Sequence, residues 1–249
     1  MQSLQKFQIL ENVLLMDIQI ININNLQYTK NLIDDLFKQT AEFHLTLVDQ
    51  GSSEKGTSQY LNHLKKNTNI KIIKNPKNVN INKLWNNFYH KSKQDYLCFL
   101  NNDIKIPSNF IEDTIQILNK EKQVGCVVHS TNHPDYNKMT ALNYIIPENQ
   151  FVQGWDFTIR KNAYKLIPEQ LDTFGGDDWL FSNLYKNNWK IAMVLSSPII
   201  HYWAKSRKYY IGDRKITTQE YQKYGFKKLP YYLKNYCQRK PTFLEIKKC

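Results

Sequence analysis

The sequence predicts an α/β fold in which helices flank a central, mostly parallel β-sheet. Residues 96–100 form a run of five apolar or aromatic residues with no polar face, which is typical of a strand covered on both faces. Over residues 17–128 such strands alternate with amphipathic segments, as expected for right-handed helical crossovers. A chain of 249 residues with 41% hydrophobic residues is long enough for one large domain of this kind.

Each predicted strand of the first half has a β-branched or alternating apolar pattern that stops at polar or turn-forming residues. The sixteen residues before the first of these strands have no clear pattern. Because all five strands are separated by helical segments, we expect them to run parallel. The predicted strands cover residues 17–24, 43–48, 70–74, 95–100 and 124–128.

Four helices are predicted between these strands, from apolar residues spaced three or four positions apart. Thr29 is expected to cap the first helix, and Pro107-Ser108 to open the fourth. Each helix would then bury one apolar face against the sheet. The inward residues are Leu32, Ile33, Leu36 and Phe37 in the first helix, Tyr60, Leu61 and Leu64 in the second, Leu84, Trp85 and Phe88 in the third, and Phe110, Ile111, Thr114, Ile115 and Leu118 in the fourth.

The regular alternation stops after Val128, and the remainder is less periodic. A long loop is expected first, and a glycine pair at Gly175-Gly176 then opens a helix that carries two acids in its first turn. The predicted elements are a strand over 151–159, a short helix over 162–167, the glycine-opened helix over 174–187, and short strands over 191–195 and 198–200.

Polar residues gather where the predicted strands end. In parallel sheets the carboxyl ends of the strands meet at one edge, which is where open α/β sheets bind ligands. We therefore expect a nucleotide to lie along this edge, although asparagine and aspartate are also ordinary turn residues. The residues concerned are Asn24, Asn25, Asp49, Asn75, Asn78, Asn102 and Asp103.

The net charge of +12 is concentrated in residues 205–249, where thirteen Lys or Arg face three acidic residues. Tyrosines interleave with these cations, a mixture that suits an anionic partner such as DNA or a membrane surface. No apolar run approaches the ~20 residues of a membrane span, and no secretory signal is visible. Cys98, Cys126, Cys237 and Cys249 form no CxxC pair. We expect a cytoplasmic protein with reduced thiols, acting at a membrane surface or on DNA if the basic segment binds either.

Five segments, in order, resemble the family 2 glycosyltransferases of the GT-A fold. They are VDQGSS (48–53), NPKNVNINKLWN (75–86), FLNNDIKIP (99–107), GGDDWLFSNLYKNNWKI (175–191) and SSPIIHYW (196–203). The resemblance implies a Rossmann-like GT-A domain over residues 1–204, with a nucleotide-sugar half at 17–128 and an acceptor half at 129–204. Residues 205–249 would be a basic C-terminal extension. Four positions depart from the family pattern, namely Asn80 and Asn188 in place of glycines, Asn101 in place of the first DxD acid, and Asp177 in place of glutamate.

The third and fifth segments contain the acid and the histidine that the resemblance assigns to a metal. Asp103 would supply a hard oxygen ligand to Mn²⁺ or Mg²⁺, which stabilises a departing nucleoside diphosphate. By resemblance His201 would be the second protein ligand. A histidine at a strand end that bonds only to backbone is the alternative for His201.

The fourth segment supplies the acids for the acceptor. Asp178 is the candidate general base, which would take the proton of the acceptor hydroxyl in an inverting displacement, with Asp177 in support. Both acids also suit a simple role in capping the helix. Trp155 would form the floor of the sugar and acceptor site unless it packs in the core. Arg160 would meet phosphate or an anionic acceptor unless it is solvated surface.

The resulting hypothesis is a metal-dependent inverting glycosyltransferase that uses a nucleotide-sugar donor. Asn24, Asn25, Asp49, Asn75, Asn78 and Asn102 would line the donor nucleotide pocket. The acceptor would be a surface glycan, a lipid-linked sugar or a protein. Alternatives are a virus-type enzyme that glycosylates hydroxylated DNA bases, and a non-catalytic GT-A protein that binds nucleic acid or glycan. A nucleotidyltransferase is disfavoured because no glycine-rich phosphate loop with a basic residue is present.

Overall fold

The computed structural model describes residues 15–131, 141–147, 153–169, 171 and 175–202. Five α-helices lie within these residues. Each of them lies between two strands of the chain. The helices are α1 (Leu26–Leu36), α2 (Thr57–Leu64), α3 (Ile81–Lys91), α4 (Phe110–Lys120) and α5 (Gly176–Lys186), with a 3₁₀ turn at Lys161–Ala163.

Nine strands form the sheet described for these residues. Their order in space is β3-β2-β1-β4-β8-β6-β9-β5, and β7 pairs with β9. The strands are β1 (Met16–Asn22), β2 (Phe43–Gln50), β3 (Ile70–Asn75), β4 (Tyr96–Asn101), β5 (Ile104–Lys105), β6 (Val124–Thr131), β7 (Tyr144–Ile145), β8 (Asp156–Arg160) and β9 (Lys190–His201).

The α/β fold is confirmed, and the first four major strands pair in parallel as expected. The sequence did not predict that β8 would enter antiparallel between β4 and β6. No α-helix is described between β6 and β8, so the alternation from which parallel pairing was inferred does not extend to β8. The two short strands predicted near the end are one continuous strand, β9.

Helices cover both faces of the sheet. Alternate residues of each strand point to opposite faces, so Cys98 and Leu100 join one apolar cluster while Leu97 and Phe99 join the other. Helices α1, α2 and α4 contribute residues to the first cluster, and α3 and α5 contribute residues to the second. Because α3 and α5 share a face, they contact each other, and a Cβ atom on Gly176 would overlap the side chain of Asn82.

Three local predictions were wrong. The first helix begins at Leu26 after Asn25, so Thr29 lies inside the helix, where it is buried, and does not cap it. Phe37 follows the last helical residue and is 49% exposed. The short helix predicted at 162–167 is only a 3₁₀ turn at Lys161–Ala163, and the backbone of Ile167 bonds the side chain of Asn86 through both its N–H and its C=O.

Asn188 adopts the left-handed conformation, with φ of 60°. It lies in the turn that follows α5 and stands where the resembled family prefers glycine. Asparagine is among the few residues that tolerate this region, so the turn keeps its shape without glycine. Among the residues described, no helix is long and apolar enough to cross a bilayer.

Candidate functional site

Asp103 and His201 meet at the carboxyl end of β4. Ile104 of β5 pairs with His201 of β9, and the N–H of Tyr202 donates to the carbonyl of Asp103 over 2.9 Å. This backbone pairing brings Asp103 Oδ1 to 3.4 Å from His201 Nε2. The two residues are 3% and 6% exposed. The structure therefore brings together the two residues that the sequence predicted as metal ligands.

The Asp103–His201 pair fits a divalent cation that is completed by other ligands. Two ligands at right angles, each about 2.1 Å from a cation, lie about 3 Å apart, which is close to the distance between these side chains. Among the described residues no group of three or more His, Cys, Asp or Glu could hold a metal. Two protein ligands are typical where substrate phosphates and water supply the rest.

Trp155 packs directly on the histidine of this pair. The ring centroids of Trp155 and His201 are 5.2 Å apart, and the ring planes differ by 19°. The carbonyl of Trp155 accepts the N–H of Asn101 over 2.9 Å, which links it to the last residue of β4. One face of the indole is thus covered by His201, and its role as the floor of a sugar site stays a prediction.

The two acids of α5 lie in its first turn, after Gly175 with φ of 83°. Asp178 is 6% exposed. The carboxylate of Asp177 lies against Gly154, where an added Cβ atom would overlap it. Burial raises the pKa of the Asp177 carboxyl, while backbone N–H groups of Asp178 and Asp177 hold it down. Since Gly154 precedes Trp155, Asp177 of α5 and His201 of the Asp103–His201 pair adjoin the same short segment.

Asn22, the last residue of β1, was missed by sequence reasoning. Its Nδ2 donates to Asp49 Oδ1 over 2.8 Å. Its Oδ1 accepts from Thr29 Oγ1 over 2.6 Å and from Asn102 Nδ2 over 3.2 Å. We call Asn22, Thr29, Asp49 and Asn102 the Asn22 network. The sequence did contain a signal for Asn22, because an asparagine at the end of a buried β-branched strand has an amide that needs hydrogen-bond partners.

The loop after β1 is tied to the loop after β2. Asn24 Oδ1 accepts the N–H groups of Ser53 and Glu54 over 2.9 and 3.0 Å. Glu54 in turn accepts the N–H of Leu26, the first residue of α1, over 2.9 Å. Asn24 and Asn25 both have φ of 53°, which asparagine tolerates. The start of α1 is therefore already paired with a carboxylate of the chain itself.

Gln50 organises the loop after β3. Asn75 Nδ2 donates to Gln50 Oε1 over 2.9 Å, and Gln50 Nε2 donates to the carbonyl of Val79 over 2.7 Å. Asn78 lies in the loop held between these contacts and is half-buried. The residues predicted for the donor pocket thus do gather at one edge, but Asp49, Asn75 and Asn102 use side-chain groups to hold the loops together.

We expect Asn22→Ala to lower the free energy of unfolding by about 2 kcal/mol, since the buried partners Thr29, Asp49 and Asn102 each lose a hydrogen bond. Urea unfolding measures this. Asn31→Ala is the matched control. Among the described residues the side chain of Asn31 accepts a hydrogen bond from the exposed side chain of Gln27, so this substitution should cost under about 0.5 kcal/mol. Equal losses in the two variants would contradict the role assigned to Asn22.

The prediction that Arg160 meets phosphate or acceptor was wrong. Because β8 is antiparallel to β4, it starts beside Leu100 at the site edge and ends with Arg160 beside Tyr96 at the opposite edge. The guanidinium of Arg160 donates to the carbonyl of Val124 over 2.7 Å and to that of Leu118, and it lies over the Tyr96 ring. Arg160 therefore joins elements at the far end of the sheet. The basic segment at 205–249 lies outside the described residues.

Solved structures of two glycosyltransferases, TarS and GalNAc-T7, share this fold. The structure of S. aureus TarS residues 1–349 matches with a TM-score of 0.58 and 16% identity, over 74% of this chain and 59% of that chain. GalNAc-T7 with UDP, GalNAc and Mn²⁺ matches with a TM-score of 0.63 and 14% identity, over 77% of this chain and 44% of that one. TarS 1–349 in complex with UDP-GlcNAc matches with a TM-score of 0.60 and 16% identity, over 83% of this chain and 63% of that chain.

The chain thus spans less than two thirds of the length of these structures, and at such low identity the likeness is one of fold. None of the curated proteins compared with the chain matches it significantly. The family model described as Glycosyl transferase family 2 matches residues 17–182. This match contains Asp103 and the α5 acids and covers well over half of the sequence, so the chain belongs to glycosyl transferase family 2.

Proposed function

We propose that the protein transfers a sugar from a nucleoside-diphosphate sugar to an acceptor hydroxyl, with inversion at the anomeric carbon and with a divalent cation. The observation that carries the proposal is the buried Asp103–His201 pair, 3.4 Å apart at the edge that also receives the acids of α5. A simple nucleotide-binding site would need neither the pair nor an adjacent acid with a raised pKa.

Asp103 and His201 would hold Mn²⁺ or Mg²⁺, which when bound supplies Lewis-acid stabilisation of the departing diphosphate. The carboxylate provides the hard oxygen that both ions prefer, and imidazole is compatible with Mn²⁺. Both side chains are buried, so little water competes with the phosphates for this place. The pairing of β5 with β9 keeps the two ligands in register before any donor arrives.

Asp178 would take the proton from the acceptor hydroxyl as its oxygen attacks the anomeric carbon, opposite the departing diphosphate. Such a single displacement inverts the configuration. Asp177 would support it, either by holding Asp178 in place or by contacting the acceptor. Its raised pKa agrees with a carboxyl in a partly desolvated place, where a proton is accepted more readily than in water.

The Asn22 network and the loop held by Gln50 would form the wall of the donor pocket. Asp49 and Asn102 would line this wall from the ends of β2 and β4, on either side of β1, with Asn24, Asn25, Asn75 and Asn78 in the adjoining loops. Trp155 would present to the sugar the indole face that His201 does not cover. TarS with UDP-GlcNAc and GalNAc-T7 with UDP and Mn²⁺ make uridine-diphosphate sugars and Mn²⁺ the first probes to use.

A panel of nucleotide sugars tests the proposal, with each compound added with and without Mn²⁺. We expect one class of donor to raise the melting temperature only when Mn²⁺ is present, since ligands that bind the native state stabilise it. The same donor should be hydrolysed slowly, with release of the nucleoside diphosphate. The configuration of the released sugar, followed by proton NMR, should be inverted. The proposal would be wrong if none of the nucleotide sugars produced an Mn²⁺-dependent rise in melting temperature.

A further inference from the structure

The segment Gln153–Trp155 touches both halves of the site. Gly154 lies so close to the carboxylate of Asp177 that a Cβ atom at this position would overlap it unless the carboxylate moved. The next residue, Trp155, stacks on His201 and holds the N–H of Asn101 with its carbonyl. The proposed metal ligands lie on β9 and beside β5, whereas the acids lie on α5. The segment before β8 therefore contacts one residue of each group, His201 and Asp177.

Asp156 anchors this segment from inside the sheet. It is fully buried, and its Oδ2 accepts from the backbone N–H of His129 over 3.0 Å and from His129 Nδ1 over 3.2 Å. Its Oδ1 accepts from Gln153 Nε2, which also donates to the carbonyl of His129 over 2.9 Å. A buried carboxylate is tolerated only when such donors surround it. The first residue of β8 is thus locked to β6, and Gln153 is locked to both.

We propose that Asp156 is a positioning residue, whose buried bonds to His129 and Gln153 hold Gly154 against Asp177 and Trp155 against His201. The inference rests on the proposed function, because it assigns Asp156 to the alignment of metal ligand and acid. Asp156 touches neither of them itself. Its effect reaches His201 through the Trp155 ring and reaches Asp177 through the backbone of Gly154.

The chain contains a matched control at the other end of the same sheet. Asp17 on β1 is also buried, and it also accepts from a histidine, His44 Nδ1 at 3.1 Å, and from Ser92 Oγ. Its strand position pairs with Leu97 of β4, away from the site edge. Asp17→Asn should therefore destabilise the fold as Asp156→Asn does, without moving the site.

The experiment compares Asp156→Asn with Asp17→Asn in two measurements that need no turnover. One is the indole N–H resonance of Trp155, assigned with Trp155→Phe. The other is Mn²⁺ affinity, from the electron paramagnetic resonance of free Mn²⁺. We expect Asp156→Asn to shift the resonance and to weaken Mn²⁺ binding by about 10-fold or more, the usual effect of losing a group that orients a ligand. Asp17→Asn should do neither.

A second pair of variants covers the case in which Asp156→Asn does not fold. His129→Asn keeps an N–H donor at the position of Nδ1 and should behave as the wild type. His129→Leu should shift the Trp155 resonance and weaken Mn²⁺ binding as Asp156→Asn does. An unshifted Trp155 resonance in both Asp156→Asn and His129→Leu would overturn the inference, as would equal shifts with Asp17→Asn. If the wild-type chain binds no Mn²⁺, the metal part of the proposed function fails, and the resonance still decides the role of Asp156.

Discussion

Replacing Asp103 with asparagine should abolish Mn²⁺-dependent donor binding. The substitution keeps the size of the side chain but removes the charge that faces His201 Nε2 at 3.4 Å. The loss in Mn²⁺ affinity should be at least the ~10–100-fold that follows removal of a residue that merely orients a ligand. Titration calorimetry with UDP, in the presence and absence of Mn²⁺, measures the effect.

Asp17→Asn again serves as the control for the Asp103 variant, because it removes another buried carboxylate from the same sheet. Donor binding by this control should keep its full dependence on Mn²⁺. The metal assignment would be wrong if the Asp103 variant bound UDP with unchanged Mn²⁺ dependence. Loss of Mn²⁺ dependence in His201→Asn would support the assignment independently.

Asp178→Asn should lower kcat by roughly 10²–10⁴-fold while donor affinity changes by less than about threefold. The amide keeps the shape of the buried side chain but cannot accept the proton of the acceptor hydroxyl. Donor affinity should survive because the proposed metal ligands and the Asn22 network lie on other elements. Steady-state kinetics and a separate binding titration distinguish the two quantities. An equal loss of binding and turnover would contradict the role of base.

Asp177→Asn is the matched comparison for Asp178→Asn, in the adjacent residue of the same helix turn. We expect a smaller loss of kcat from it. Because burial raises the pKa of Asp177, the folded state binds its proton more tightly than the unfolded chain does, and ionisation costs stability as pH rises. The variant should therefore gain stability relative to the wild type as pH increases above about 4, which urea unfolding can follow. A larger loss of kcat in Asp177→Asn than in Asp178→Asn would mean that Asp177 is the base and Asp178 the supporting residue.

Much of the architecture was readable from local patterns. The apolar run of β4 and the spacing of Leu84, Trp85 and Phe88 in α3 predicted elements whose burial the structure confirms. Apolar residues that recur every two residues in a strand, or every 3.6 residues in a helix, show which face of the element is covered. Every residue of the element contributes to this pattern. The resemblance of five ordered segments to family 2 glycosyltransferases, and not a local pattern, implied that Asp103 and His201 would meet, although they lie far apart in the chain.

The direction of β8 was not readable in this way. A strand has the same apolar alternation whether it runs up or down the sheet, so nothing local distinguishes Arg160 at the site from Arg160 at the far edge. The antiparallel insertion sends Trp155 to His201 and Arg160 to Tyr96. The direction of β8 is a matter of pairing with β4 and β6, which lie far from β8 in the chain.

Local sequence was therefore sufficient to predict most of the helices and strands, the two covered faces and the gathering of polar residues at one edge, because burial repeats along each element. The partners of single buried polar groups came from the folded chain alone. The buried Asn22 and Asp156 and the half-buried Asn86 look like ordinary polar residues in the sequence, and each is satisfied by groups from distant elements. A buried polar group needs a hydrogen-bond partner, and packing brings that partner from a distant part of the chain. The residues adjacent in the sequence do not indicate which group it is.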